Sequence, residues 1–181
     1  MRPARIGLYL VAVAAAFGAA GMLSSHLFPH SQPPLIGQLE EVRIGAFWDA
    51  HLPDLGGRDQ PLSQWHGKVM VANFWAPWCP PCRVEIPGFI RMQQRYAQAG
   101  VQFVGLAVDE KDSVSGFARR AGFNYPILLV GESDGQLLLD AGNGMGGLPY
   151  TVIFDRRGKA IATITGVLAE ERLEKLIKSL L

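Results

Sequence analysis

The sequence is poor in cysteine and in net charge. Its 181 residues include two cysteines, Cys79 and Cys82, which are far too few for a scaffold held together by disulfides. Lysine and arginine total 17 against 16 aspartates and glutamates, a formal net charge of +1. Proteins that depend on phosphate contacts are normally much more basic, so we expect no nucleic-acid partner. Hydrophobic residues make up 49% of the chain, which excludes intrinsic disorder for most of its length.

Charge is absent from one long N-terminal stretch. After two arginines among the first five residues, no aspartate, glutamate, lysine or arginine occurs from Ile6 to Leu39. The apolar part, Ile6 to Leu27, can supply the roughly 20 residues that a helix needs to cross a bilayer. Positive charge before this span and none just after it indicates a cytoplasmic N-terminus and an exported remainder. We therefore expect a signal anchor over residues 1–27 and a proline-containing linker over residues 28–41.

Two other interpretations of the apolar stretch stay open. A cleavable signal peptide would use the small residues Gly18, Ala19 and Ala20 as its cut site, and it agrees with the anchor on export. A buried helix of the folded domain is the third interpretation. With an uncleaved anchor, the chain would be a single-pass protein of a bacterial cytoplasmic membrane whose folded domain faces the periplasm.

The remaining residues, 42–181, alternate between strand and helix patterns. Short apolar runs and period-2 stretches predict strands over residues 68–75, 101–108, 125–130, 150–154 and 160–165. Apolar positions at helical spacing and capping signals predict helices over residues 80–99, 112–121, 134–141 and 169–181. Strands that alternate with helices favour parallel pairing, and the last two strands form a hairpin. We therefore predict an α/β fold with a mixed central sheet flanked by helices.

The two cysteines stand where a predicted strand gives way to a predicted helix. At a helix N-terminus, free N–H groups and the positive end of the helix dipole favour the thiolate form of Cys79. Thiolate is the species that attacks a disulfide. Cys82 lies less than one helical turn further on, so its sulfur can reach that of Cys79 and act as the resolving thiol. Pro80 and Pro81 are tolerated because the first turn has no intrahelical use for their N–H groups.

A metal site is the main alternative for this pair. Zinc would require two further ligands, but the sequence has no third cysteine and no histidine after His66. Cu(I) can be held by two soft thiolates, so a copper metallochaperone stays open as an alternative. We expect no metal and no cofactor apart from a redox-active disulfide between Cys79 and Cys82.

The residues around the pair resemble the active-site segment of thioredoxin-fold proteins. Phe74 to Cys82 reads Phe-Trp-Ala-Pro-Trp-Cys-Pro-Pro-Cys. With Arg83, Glu85 and Pro87, it is similar to membrane-tethered TlpA/ResA/DsbE-type thiol–disulfide oxidoreductases. The resemblance covers residues 42–181 and implies a thioredoxin fold. The predicted helix over residues 112–121 and the strand after it resemble the central βα insertion of that family.

The resemblance also implies a substrate-binding surface beside the cysteines. The segment from Gly147 to Thr151 resembles the one that carries the fold's cis-proline, so Leu148 and Pro149 would help to hold the substrate chain. An ordinary trans proline that opens an edge strand is the alternative. Trp78 precedes the nucleophile and would be a partly exposed lid beside it. Pro80 and Pro81 complete the implied substrate-binding set.

A glutamate in the predicted helix completes the implied catalytic set. Thioredoxin itself has a buried aspartate six residues before the first cysteine, but Asn73 stands there and cannot take a proton. ResA-type members instead have a glutamate three residues after the second cysteine, and Glu85 fits that position. On a helix it shares a face with Cys82 and would accept the Cys82 proton as this thiol attacks a mixed disulfide. An exposed surface glutamate is the alternative.

The resemblance implies an enzyme that reduces disulfides of client proteins, in cytochrome c maturation or in assembly of a copper site of an oxidase. A reductant in an oxidising exported compartment needs electrons, which implies a membrane thiol-shuttling partner. A disulfide oxidant or isomerase is the alternative. Pro80 and Pro81 argue against a strong oxidant because they offer the thiolate neither a positive charge nor an N–H group. A peroxide-reducing role would call for threonine or serine at the position of Ala76.

Overall fold

The structure is a computed structural model that describes residues 44–131 and 135–181. The expected signal anchor over residues 1–27 and the expected linker over residues 28–41 lie outside the described residues. Within the two described ranges, none of the helices combines the length and the apolar character that a membrane crossing requires.

Strands and helices alternate along the described chain. The α-helices are α1 (Ile44–Trp48), α2 (Pro80–Tyr96), α3 (Lys111–Ala121), α4 (Gly135–Asp140) and α5 (Glu170–Lys178). The strands are β1 (His51–Pro53), β2 (Asp59–Pro61), β3 (Val69–Trp75), β4 (Val101–Ala107), β5 (Ile127–Leu129), β6 (Tyr150–Phe154) and β7 (Ala160–Thr165). Short 3₁₀ helices span Leu62–Trp65 and Ala97–Ala99.

A five-stranded mixed sheet in the order β5-β4-β3-β6-β7 forms the centre of the fold. The first three strands pair in parallel, whereas β6 pairs antiparallel with both β3 and β7. This arrangement confirms the predicted thioredoxin-like α/β fold with a mixed central sheet. The helix and strand that resemble a central insertion are α3 and β5, which follow β4 in the chain.

The central strand β3 is buried along its whole length because both of its faces are covered. Neighbouring side chains of a strand point to opposite faces. On one face, Val69 and Val71 pack in a cluster with Phe89 of α2. On the other face, Met70 and Phe74 belong to a second apolar cluster. A strand buried on both sides reads as a continuous apolar run, which is why the sequence revealed it.

Four short elements at the start of the described chain were not predicted. They are α1, the hairpin of β1 and β2, and the first 3₁₀ helix. Phe47 of α1 is fully buried and stacks on Phe154 of β6 at a centroid distance of 4.8 Å. The indole Nε1 of Trp48 donates a hydrogen bond to the carbonyl of Gly158 at 2.9 Å. Elements of three to five residues are too short to show a hydrophobic period, so only their packing partners reveal them.

The predicted boundaries differ from the observed ones by a few residues. The strand predicted over residues 125–130 is shorter, Ile127–Leu129. The helix predicted over residues 80–99 ends at Tyr96 and continues as one 3₁₀ turn to Ala99. Gly100 follows with φ at 87°, the left-handed conformation that glycine adopts most easily at a helix end.

Candidate active site

Cys79 and Cys82 lie at the N-terminus of α2, at the position that the sequence predicts. β3 ends at Trp75, and Cys79 is the N-cap residue of the helix, with φ −87° and ψ 104°. Its backbone N–H donates to the carbonyl of Ala76 at 3.1 Å. Prolines fill the first two helical positions, where a missing N–H group costs no intrahelical hydrogen bond.

The two cysteines form a disulfide, with their Cα atoms 5.3 Å apart. The backbone N–H of Cys82 donates to Sγ of Cys79 at 3.2 Å. Cys82 is fully buried, whereas Cys79 keeps 3% of its surface exposed. Cys79 is therefore the more accessible of the two cysteines. The N–H group that faces its sulfur is placed to stabilise a negative charge there once the disulfide opens.

Apolar side chains surround the disulfide at the protein surface. Trp78 is 64% exposed, and both Pro80 and Pro81 are exposed. Leu148 is half-buried and packs against the cluster that contains the two cysteines. The peptide bond between Leu148 and Pro149 is cis, as the resemblance implies. The structure thus packs Leu148, the residue before the cis-proline, against the cluster that contains the disulfide.

Glu85 lies on the inner side of α2 and is 4% exposed, so the alternative of an exposed surface glutamate is wrong. Its Oε1 atom accepts a hydrogen bond from Nδ2 of Asn73 at 2.9 Å. Its Oε2 atom accepts one from the backbone N–H of Leu168 at 2.9 Å. Burial raises the pKa of Glu85 to about 7, although both hydrogen bonds favour the charged carboxylate and oppose this rise.

Two polar residues beside Glu85 were not predicted as site residues. Asn73 is 1% exposed, and its Nδ2 atom also donates to Oγ1 of Thr151 at 3.0 Å. Thr151 is fully buried in β6, two residues after the cis-proline. A lone amide in the apolar strand Val-Met-Val-Ala-Asn-Phe-Trp is a signal in the sequence, since a buried polar group needs a partner. The identity of that partner required the tertiary structure.

The comparisons with known proteins agree with this geometry. Residues 45–163 match the AhpC/TSA family. The chain belongs to this family. It is 35% identical to the thiol-disulfide oxidoreductase ResA of Geobacillus thermodenitrificans (strain NG80-2). The 133 aligned residues cover 73% of this chain and 74% of the relative. This chain is 32% identical over 128 residues to the ResA of Bacillus thuringiensis (strain Al Hakam), with 70% and 72% covered.

Solved structures of related proteins have the same fold. A putative thiol:disulfide interchange protein DsbE from Chlorobium tepidum matches with a TM-score of 0.65 and 29% identity, over 72% of this chain and 92% of that chain. The structure of MTB dsbF matches with a TM-score of 0.67 and 25% identity, over 75% and 98%. With its Cys pair in place, this AhpC/TSA family member is a thioredoxin-like thiol–disulfide oxidoreductase.

Tyr125 is a further buried residue of this enzyme that the sequence did not reveal. Its side chain is 8% exposed, and its ring lies 5.0 Å from that of Phe123 between centroids. Burial raises the pKa of Tyr125, and the negative charge of Glu85 raises it further. The phenol therefore stays neutral, so it does not act as a second base beside Glu85.

The redox chemistry of this enzyme rests on its two sulfurs. A disulfide and two thiols differ by two electrons and two protons. The site therefore contains the electron carrier in its cysteines and a buried carboxyl group that can carry a proton.

Proposed function

We propose that this enzyme reduces disulfides of client proteins outside the cytoplasm, with Cys79 as the attacking thiol and Cys82 as the resolving thiol. The observation that carries this proposal is the carboxyl group of Glu85. It is buried three residues beyond Cys82 on the same helix, and its pKa lies at about 7. A base is most effective when its pKa is close to the working pH.

The first step transfers the client's disulfide bond to the enzyme. In the reduced enzyme, the Cys79 thiolate attacks one sulfur of the client disulfide. A Cys79–client disulfide forms, and the client's other sulfur leaves as a thiolate that takes up a proton from water. The slightly greater accessibility of Cys79 and the N–H group of Cys82 that faces its sulfur support this order of attack.

The second step releases the client. Glu85 accepts the proton of the Cys82 thiol, and the resulting thiolate attacks Sγ of Cys79. The Cys79–Cys82 disulfide forms, and the second client sulfur leaves as a thiolate. Two electrons have then passed from the enzyme dithiol to the client. Cys82 needs this help because it is fully buried, and burial disfavours the charged thiolate.

The apolar surface around the disulfide suits an unfolded or extended client segment. Trp78, Pro80 and Pro81 offer exposed apolar area on the helix side. The partly exposed Leu148, which precedes the buried cis-proline Pro149, adds apolar area on the side of β6. Contact through such rigid apolar groups needs no particular client sequence, which suits an enzyme whose clients share a disulfide rather than a motif.

The apolar N-terminal stretch supports a place outside the cytoplasm. A signal anchor over residues 1–27 would give a single-pass protein of a bacterial cytoplasmic membrane, with the catalytic domain in the periplasm. Because that compartment is oxidising, the enzyme would be re-reduced by a membrane protein that shuttles thiol electrons. Clients with paired cysteines that must be free thiols before they bind a cofactor fit this role, as in cytochrome c maturation or the assembly of a copper site.

A Cys82→Ser variant tests this proposal in cells, because the mixed disulfide with Cys79 then has no resolving thiol. We expect Cys82→Ser to accumulate covalent adducts with client proteins that a thiol reductant removes. The matched control, Cys79→Ser, is expected to form none. Acid quenching and alkylation of the wild-type enzyme should show free thiols at steady state. A wild-type enzyme trapped mainly as the disulfide would instead support the oxidant alternative.

A further inference from the structure

The hydrogen bonds of Asn73 connect the buried glutamate to the strand that carries the cis-proline. Nδ2 of Asn73 donates to Oε1 of Glu85 at 2.9 Å and to Oγ1 of Thr151 at 3.0 Å. The three side chains are 1%, 4% and 0% exposed, respectively. They come from three separate elements: β3, α2 and β6. An interaction between buried groups of this kind is protected from competition with water.

Chemistry fixes the orientation of the Asn73 amide. An ionised carboxylate accepts hydrogen bonds and cannot donate them, so the nitrogen of the amide faces Glu85 when that group is charged. Both hydrogens of this nitrogen are used, one on Glu85 and one on Thr151. The Thr151 hydroxyl therefore holds the amide in the orientation that serves the carboxylate. Unlike an aspartate, Asn73 does not titrate, so its N–H donors are present at every pH.

We propose that Asn73, held in place by Thr151, is a positioning residue that fixes the Glu85 carboxylate behind Cys82 and favours its charged, proton-accepting form. This inference rests on the proposed role of Glu85 and adds the residues that control it. Leu168 supports the same carboxylate from the other side, through its backbone N–H on Oε2 at 2.9 Å. Each carboxylate oxygen thus has one fixed donor, which leaves a defined place for an incoming proton.

Other titratable groups near Glu85 do not replace this role. Tyr125 interacts with the Glu85 charge, but burial keeps its phenol neutral. Cys82 precedes Glu85 by one helical turn and is the proposed proton donor rather than a support. Burial raises the pKa of Glu85, and Asn73 and Leu168 act against that rise. Loss of the Asn73 donor should therefore raise the pKa of Glu85 further.

The first test uses the folded wild-type enzyme in its disulfide form. A ¹³C NMR titration measures the pKa of the Glu85 carboxyl group, and the side-chain NH₂ signals of Asn73 are followed in the same samples. We expect the Asn73 signals to shift with the same midpoint as Glu85. The side chain of Gln93 is the internal control, since it is buried on the same helix and binds the backbone N–H of Phe103 instead. Asn73 signals whose chemical shifts do not change at the Glu85 midpoint would overturn the proposal.

The second test compares three variants. Asn73→Leu keeps the branched shape of the side chain and removes the donor, and we expect the pKa of Glu85 to rise by about one pH unit or more. Thr151→Val leaves the donor but frees the amide, and we expect a smaller rise in the same direction. Gln93→Leu removes a buried amide elsewhere on α2 and should leave the pKa unchanged. An unchanged Glu85 pKa in Asn73→Leu, or an equal rise in Gln93→Leu, contradicts the proposal.

The same variants separate this inference from the proposed function. The pH dependence of the resolving step is measured by stopped flow on a mixed disulfide formed with a model peptide. Asn73→Leu should move the midpoint of that pH profile upward by the same amount as the pKa of Glu85. If Glu85→Gln leaves the profile unchanged, the proposed role of Glu85 fails. If Glu85→Gln removes the midpoint but Asn73→Leu does not move it, only the positioning role of Asn73 fails.

Discussion

The carboxylate of Glu85 and the backbone N–H of Leu168 form a buried hydrogen bond of 2.9 Å across 83 residues of sequence. Leu168 lies between β7 and α5, directly after the exposed Val167. Glu85 lies in the first half of α2, one turn beyond Cys82. The Glu85 carboxylate, which is the base in the proposed mechanism, is therefore held by the loop between β7 and α5. This loop is exposed at Val167.

Stability should depend on pH through Glu85. Its pKa is about 7 in the folded protein against 4.5 for a free side chain. The folded state therefore binds the proton more tightly, so this group's stabilising contribution is fully present below about pH 4.5 and is lost as the pH rises through 7. The change is about 3 kcal/mol for a shift of this size. Urea unfolding of the disulfide form across this range measures it.

The variant Glu85→Gln provides the control for that prediction. Glutamine does not titrate, so the variant should lose most of the decrease in unfolding free energy between pH 4.5 and 7. An equally steep decrease in the variant would show that another group is responsible. The comparison uses the change in unfolding free energy with pH and not its absolute value. The absolute value also changes, because the glutamine NH₂ group would face a donor where the carboxylate accepts.

Glu174 of α5 should affect stability at acidic pH with the opposite sign. A hydrogen bond from the Tyr96 hydroxyl, with further help from Lys178 and Arg95, lowers the pKa of Glu174 to about 2. Its stabilising contribution is present above about pH 4.5 and is lost as the pH falls towards 2. Glu174→Gln should therefore reduce the acid sensitivity of unfolding, and added salt should weaken the effect. Glu171→Gln on the same helix is the matched control and should leave it unchanged.

Gly105 of β4 should not tolerate a side chain. A methyl group there would lie 2.9 Å from Nε1 of Trp75 and 3.5 Å from Cε2 of Tyr125. Both rings are buried, so Gly105→Ala should lower the free energy of unfolding by about 1 to 3 kcal/mol. Gly116→Ala in α3 is the control, since its methyl group meets only the Arg120 guanidinium at 3.5 Å. It should stabilise the protein by about 0.5 to 1 kcal/mol, and a loss comparable to that of Gly105→Ala would contradict this account.

Trp78 should matter for client binding and not for folding. Its side chain is 64% exposed, so Trp78→Ala should change the free energy of unfolding by less than about 0.5 kcal/mol. The rate of disulfide exchange with a protein client should fall, whereas exchange with the small reductant dithiothreitol should not. Leu181→Ala, an exposed apolar residue at the C-terminus, should alter neither rate. Equal losses with both substrates would point to an effect on Cys79 itself.

The sequence predicted the elements around the cysteines because each has a strong local pattern. β3 is an apolar run buried on both faces, and α2 begins at a Cys-Pro-Pro-Cys segment and ends before a glycine. The disulfide and the cis bond before Pro149 follow from residues that are close in the sequence or belong to a recognisable segment. The local patterns predicted these elements correctly because the tertiary packing agrees with them: the apolar faces of β3 and α2 pack against each other.

The environment of Glu85 could not be predicted to the same depth. The helical spacing predicted that Glu85 shares a face with Cys82, but its pKa depends on its burial and on the hydrogen bonds from Asn73 and Leu168. These partners lie 12 and 83 residues away in the sequence. The short elements near Phe47 were missed for a related reason, since their stability comes from packing against β6 rather than from their own sequence.

The reduction potential of the Cys79–Cys82 couple tests the central claim most directly. The folded domain is equilibrated with glutathione or dithiothreitol buffers at neutral pH, and the thiol and disulfide forms are separated after alkylation. A reductant that depends on a membrane electron supply predicts a potential near that of thioredoxin, about −270 mV. A potential near that of a strong oxidant, about −120 mV, would contradict the account and make this enzyme a donor of disulfides.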